Sequence, residues 1–146
     1  MVARARSDRT HRQRTRGVLV KLLGHEEDVR RRAHLLLALG HLAADDGVRE
    51  ALTDSLATEV PEERIAAACG MALSRDLALL GPLETARERS EDEALNEHFD
   101  RALEVLRGGS LHRIEESVRK VCGDGLERRR LFFRARGEAP RGARGR

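Results

Sequence analysis

Apolar positions along this chain recur with a helical period and are interrupted by short polar breaks. Val18, Leu19, Leu22 and Leu23 open the pattern, which stops at Gly24. His25-Glu26-Glu27-Asp28 then places acidic residues at the next helix start, where the helix dipole favours them. That helix is predicted to run to about Ala43 on Ala33, Leu35, Leu36, Ala38, Leu39 and Leu42, and Asp45-Asp46-Gly47 breaks it. A short helix follows on Val48, Ala51, Leu52 and Leu56. Pro61, with Glu62 and Glu63 behind it, restarts the chain as a first-turn proline, and that helix reaches about Arg75 on Ile65, Ala68, Cys69, Ala72 and Leu73.

The rhythm then repeats. Leu79, Leu80, Leu83 and Ala86 form a helix punctuated by Gly81-Pro82, and Ser90 with Glu93 gives a capping-box signature. Leu95, Phe99, Ala102, Leu103 and Leu106 follow at 3.6-residue spacing until Gly108-Gly109. A last amphipathic stretch, Leu111 to Cys122, ends at Gly123. Shifted by 34 residues, the first long helix overlays the second: Arg30 falls on Arg64, Ala33 on Ala67, and Ala38-Leu39 on Ala72-Leu73. A further shift of 30 reaches Ala102-Leu103. Each unit is a shorter helix followed by a longer one. Such a hairpin cannot bury its apolar face alone, so the expected fold is all-α, a solenoid of about three stacked hairpins with a degenerate fourth left open.

Composition agrees with a helical fold. The 146 residues include no Trp or Tyr and only three Phe, so the core must be Leu, Ala and Val, which suit close helix packing. Charge divides the chain into three. Residues 1–17 carry +5 from six Arg and one Asp, residues 18–125 carry −8, and residues 126–146 carry +6 from eight Arg and two Glu, for a net +3. Residues 1–17 show no apolar periodicity and are expected to be a basic disordered arm. Residues 18–122 form the helical domain, and 123–146 an Arg/Gly-rich tail around Leu131-Phe132-Phe133. Nearly all basic residues are Arg, a bias that a GC-rich genome would also produce. Neither a signal peptide nor a stretch of about 20 apolar residues is visible, so a cytoplasmic location without membrane contact is expected. Cys69 and Cys122 lack motif spacing and are expected to be buried free thiols.

Asp28-Val29-Arg30-Arg31-Arg32-Ala33 resembles the start of the second helix in HEAT repeats, particularly the short bacterial kind known from phycobilin lyases. Glu63-Arg64-Ile65-Ala66-Ala67-Ala68 is similar, except that Glu63 stands in the Val position. The third unit keeps only the apolar rhythm. The resemblance covers residues 18–107 and implies an α-solenoid whose longer, second helices line a concave face that holds other proteins. It implies also that an Arg near the second helix's start pairs with an acidic turn of the next repeat. Asp28, Asp46 and Glu62 are the candidates for Arg30 and Arg64.

Arg30, His34, His41 and Arg64 are therefore the expected protein-binding residues, and the expected function is a non-enzymatic scaffold or adapter. The run Arg30-Arg31-Arg32 spans nearly a full turn, so it forms no single face and reads mainly as solvated charge. His34 and His41, seven residues apart, lack the third and fourth ligands that a metal needs. Deoxyhypusine hydroxylases resemble HEAT repeats and hold two irons with several His-Glu pairs. Only His25-Glu26 occurs here, in a turn. With no phosphate loop and no Ser/His/Asp arrangement, neither catalysis nor a cofactor or metal is expected. The alternative reading is accessory nucleic-acid binding through the Arg-rich ends, nonspecific and driven by counterion release. Three repeats are near the minimum for a stable stack, which leaves dimerisation or membership of a longer array open.

Overall fold

Side-chain caps set the starts of three of the α-helices. The computed structural model describes residues 2–42 and 45–123, with side chains from residue 9 onward. Among these residues the fold is all-α, with seven α-helices and no strand: α1 (Val2–His25), α2 (Val29–His41), α3 (Asp46–Leu56), α4 (Pro61–Ser74), α5 (Leu80–Arg89), α6 (Glu93–Leu106) and α7 (Glu115–Cys122). Short 3-10 turns, Leu77–Leu79 and Leu111–Ile114, lead into α5 and α7. The carboxylates of Asp28, Asp45 and Asp92 accept the backbone N–H of Arg31, Val48 and Leu95, satisfying donors that a helix start leaves open. Asp92 is therefore the cap of α6. The capping box expected at Ser90 does not form, because Ser90 closes α5 instead, its N–H bonded to the Arg87 carbonyl.

Residues 2–17 differ from the expected arm: α1 is continuous from Val2. Arg is a good helix former, and no Pro or Gly interrupts residues 2–16, so the helix extends past the point where packing begins. Apolar periodicity reports burial, not helicity, and residues 9–14 are exposed on all sides. The Arg/Gly-rich tail with Leu131-Phe132-Phe133 lies outside the described residues, as does Ala43.

α2, α4 and α6 begin 32 residues apart each time, at Val29, Pro61 and Glu93. They pack in sequence, α2 on α4 and α4 on α6, while α1, α3 and α5 neighbour one another in turn and each pairs with the helix that follows it. α4 is the centre, touching α2, α3, α6 and α7. Glu63 and every residue from Ile65 to Ala72 are buried. A helix enclosed on all sides needs small residues, and Ala66-Ala67-Ala68-Cys69-Gly70 provides them. The closest approach is between α2 and α4. A Cβ placed on Gly40 would lie 2.3 Å from the Gly70 carbonyl oxygen, and one on Gly70 would lie 2.6 Å from the Leu36 carbonyl oxygen. These glycines let two backbones meet where any side chain would hold them apart.

α7 turns back onto α4 and α2, burying Val118, Val121 and Cys122. It is fastened by a buried hydrogen bond, 2.7 Å, between His98 Nδ1 on α6 and Ser117 Oγ. Burial, reinforced by the nearby Lys120 and Arg101 charges, holds the His98 imidazole below its ordinary pKa, so it stays neutral at physiological pH.

Candidate functional site

Of the four residues expected to face a partner, Arg30, His34 and His41 lie on α2 and Arg64 on α4. Arg30 is exposed at the start of α2, without an ion pair among the described residues. His34 and His41 are half-buried on the same helix, and the Nε2 of His34 is shut from solvent with no hydrogen-bond partner. Arg64 is on α4, and its Nε donates to the Thr58 carbonyl. The layer of second helices, expected to be the open side, carries α7 across α4 and α2. Part of that face is thus occupied by α7, the last described helix.

The Arg–carboxylate pairing between units occurs at other residues than expected. Arg32, expected to be solvated, is a clasp instead: its Nε donates to Glu63 Oε1 at 2.6 Å, and its Nη1 donates to the carbonyls of Leu23 and Glu26. It ties the end of α1 and the first turn of α4 to α2. Glu63, where the HEAT pattern has Val, is the buried partner that this clasp requires. A second pairing appears twice. Arg16 on α1 donates to Asp45 Oδ2 at 2.9 Å while Asp45 Oδ1 caps α3. Arg49 on α3 donates to Asp76 Oδ2 at 2.6 Å while Asp76 Oδ1 caps the turn before α5. One carboxylate thus joins successive helices of the same layer and starts the second of them. The sequence signal for this, an Arg followed about one repeat later by a capping Asp, was present but not distinguishable from other Arg–Asp pairs.

Both carboxylates are held below the usual carboxylate range, Asp45 chiefly by the Val48 amide and Asp76 chiefly by the Arg49 guanidinium. A lowered folded value gives stability that is complete above the unfolded value, roughly 4, and lost as pH falls through the folded one. The urea midpoint is expected to drop as pH is lowered from about 5 to about 2.5, and Asp76→Asn should flatten part of that drop.

A cleft of about 530 Å³ lies between α3 and α5. Leu56 and Phe99 contribute apolar surface, Pro82 and Ala86 line the α5 side, and two guanidinium-bearing residues, Arg64 and Arg89, border it. Elsewhere Arg16, Arg32, Arg49, Arg87, Arg101, Arg107, Arg113 and Arg119 each pair with a carboxylate. Arg64 and Arg89 have no carboxylate partner among the described residues. Ser90, also on the cleft, has a buried Oγ without a hydrogen-bond partner. Unpaired cations over an apolar floor suit an anionic group attached to an apolar one. Of the four expected residues only Arg64 belongs to this cleft. Arg89 was missed because a helix-terminal Arg has no pattern of its own.

Among the described residues, no group of three or more His, Cys, Asp or Glu side chains is placed to hold a metal, and no helix is long and apolar enough to cross a membrane. Cys69 and Cys122 are buried free thiols, and burial pushes the Cys69 thiol well above its ordinary pKa, away from the reactive thiolate. No protein-family model, curated protein or solved structure matches the chain.

Proposed function

We propose that the chain is a HEAT-like helical stack that works as a protein-binding scaffold, and that the cleft between α3 and α5 receives an acidic segment of the partner. The regular 32-residue spacing of α2, α4 and α6 and the repeated Arg–Asp link support the stack. One observation carries the binding reading: Arg64 and Arg89 border a single apolar-floored cleft without carboxylates of their own. An Asp or Glu of the partner would pair with them while an adjacent apolar side chain covers Leu56 and Phe99. The face formed by α2 and α4 is the weaker candidate, because α7 lies on it.

The test is site-directed crosslinking in the native cell, with a photoreactive residue at Thr85, an exposed residue on the cleft. A discrete crosslinked protein is expected. Arg89→Glu should reduce its yield about tenfold or more, since reversing a charge at a charged contact commonly costs more than 1.4 kcal/mol. Arg30→Glu should leave it unchanged. Crosslinking that persists with Arg89→Glu but disappears with Arg30→Glu would move the site to α2.

A further inference from the structure

α1 carries a stripe that its own fold leaves unused. Arg14, Val18, Leu22 and Glu26 stand four residues apart, on successive turns of one side of the helix. The Glu26 N–H still bonds to the Leu22 carbonyl, so the helical path extends to the end of the row. Val18 is 56% exposed and Leu22 51%, the largest apolar exposures among the described side chains of this helix. Arg14 is exposed and has no ion pair among the described residues. Glu26 accepts the Asp28 N–H and lies 4.0 Å from Arg31 through Oε1, and its side chain keeps 26% of its surface exposed. α1 stands at the start of its layer, and its main contacts are with α2 and α3. The first unit of a helical stack ordinarily presents a polar outer face.

Read in either direction, the row gives charge, apolar, apolar, charge, with the charges opposite. A two-fold axis at the level of Val20 exchanges Val18 with Leu22 and Arg14 with Glu26. Such an axis makes an interface self-complementary, as a symmetric dimer requires. We propose that α1 pairs antiparallel with α1 of a second copy of this chain, Val18 and Leu22 of each packing together and Arg14 of each meeting Glu26 of the other. Rows of residues four apart align when two helices cross at about −50°, the commonest packing class, so both charged ends close together. A parallel pairing would set Arg14 against Arg14 and Glu26 against Glu26. The pairing would join two stacks through their first helices, covering the exposed Val18 and Leu22.

Sedimentation equilibrium of the full chain, from about 5 to about 500 μM, tests this. Two apolar residues per copy make a narrow seam, so a dissociation constant on the order of tens of micromolar is expected. Arg14→Glu should weaken the dimer at least about tenfold, and adding Glu26→Arg to the same chain should return it to within about threefold of the original. Val18→Ser with Leu22→Ser should abolish the dimer while leaving the thermal midpoint at about 2 μM, where the parent is also monomeric, nearly unchanged, since both side chains are exposed in the single chain. A monomer at every concentration overturns the proposal. A dimer that Arg14→Glu dissociates and the charge swap fails to restore overturns the antiparallel register. Phe132→Ser with Phe133→Ser should leave the dimer intact, and loss of the dimer there would assign the seam to the C-terminal segment instead.

Discussion

Gly40→Ala is expected to destabilise the fold by about 2–3 kcal/mol, lowering the thermal midpoint by roughly 8–12 °C. In an ordinary helix interior the same change stabilises by about 1 kcal/mol, because Ala loses less backbone freedom than Gly. The sign reverses here because the new methyl would sit 2.3 Å from the Gly70 carbonyl oxygen and 2.7 Å from its Cα. Neither atom can rotate away. α2 and α4 would have to separate, and α4 is the helix on which α2, α3, α6 and α7 all pack. Gly81→Ala is the control: in α5, a Cβ there would meet nothing within 4 Å, so the change should be neutral or stabilising by a few tenths of a kcal/mol. Differential scanning calorimetry of the two variants beside the parent reads both effects. A Gly40→Ala variant that melts at or above the parent would show that α2 and α4 do not meet at these glycines.

Arg32→Leu is expected to cost roughly 3 kcal/mol, although it adds apolar surface to a half-buried position. It would leave the Glu63 carboxylate, 6% exposed, without its cation, and would remove the donor from the Leu23 and Glu26 carbonyls at the end of α1. Most of this cost belongs to the uncompensated charge. The double variant Arg32→Leu, Glu63→Leu should therefore recover half or more of the loss, since apolar residues often replace a buried ion pair without penalty. Arg31→Leu, next in the chain, should change stability by less than about 0.5 kcal/mol, because that side chain is solvated and its nearest carboxylate is 4.0 Å away. Chemical denaturation of all three variants separates the outcomes. Equal, small losses at Arg31 and Arg32 would mean that the clasp contributes nothing.

The Arg31–Arg32 contrast shows where reading the chain alone stops. Both residues belong to one run of three arginines, and neither spacing nor composition separates the solvated one from the one that clasps three helices. The difference lies in Glu63, 31 residues away, and in the carbonyls at the end of α1. The same holds for the candidate site. Arg64 was recognisable from its place in the repeat, but the role expected for it was on the face of the second helices. In the fold it borders a cleft shared with Arg89 and Phe99 from two other helices.

The sequence by itself determined the all-α class, the order of the helices and most of their ends, because these depend on neighbours within one or two turns. Asp28 and Asp45 cap helices through amides three residues on, Pro61 fits a first turn, and Gly123 accepts a φ of 74° where α7 stops. It also determined which residues are apolar enough to be core. Only the tertiary structure decided that α4 is enclosed on every side, that Gly40 and Gly70 are the point of closest approach, and that α7 returns to lie on α2 and α4. Each of these depends on which distant surfaces meet, and a helix presents the same apolar stripe whichever neighbour covers it.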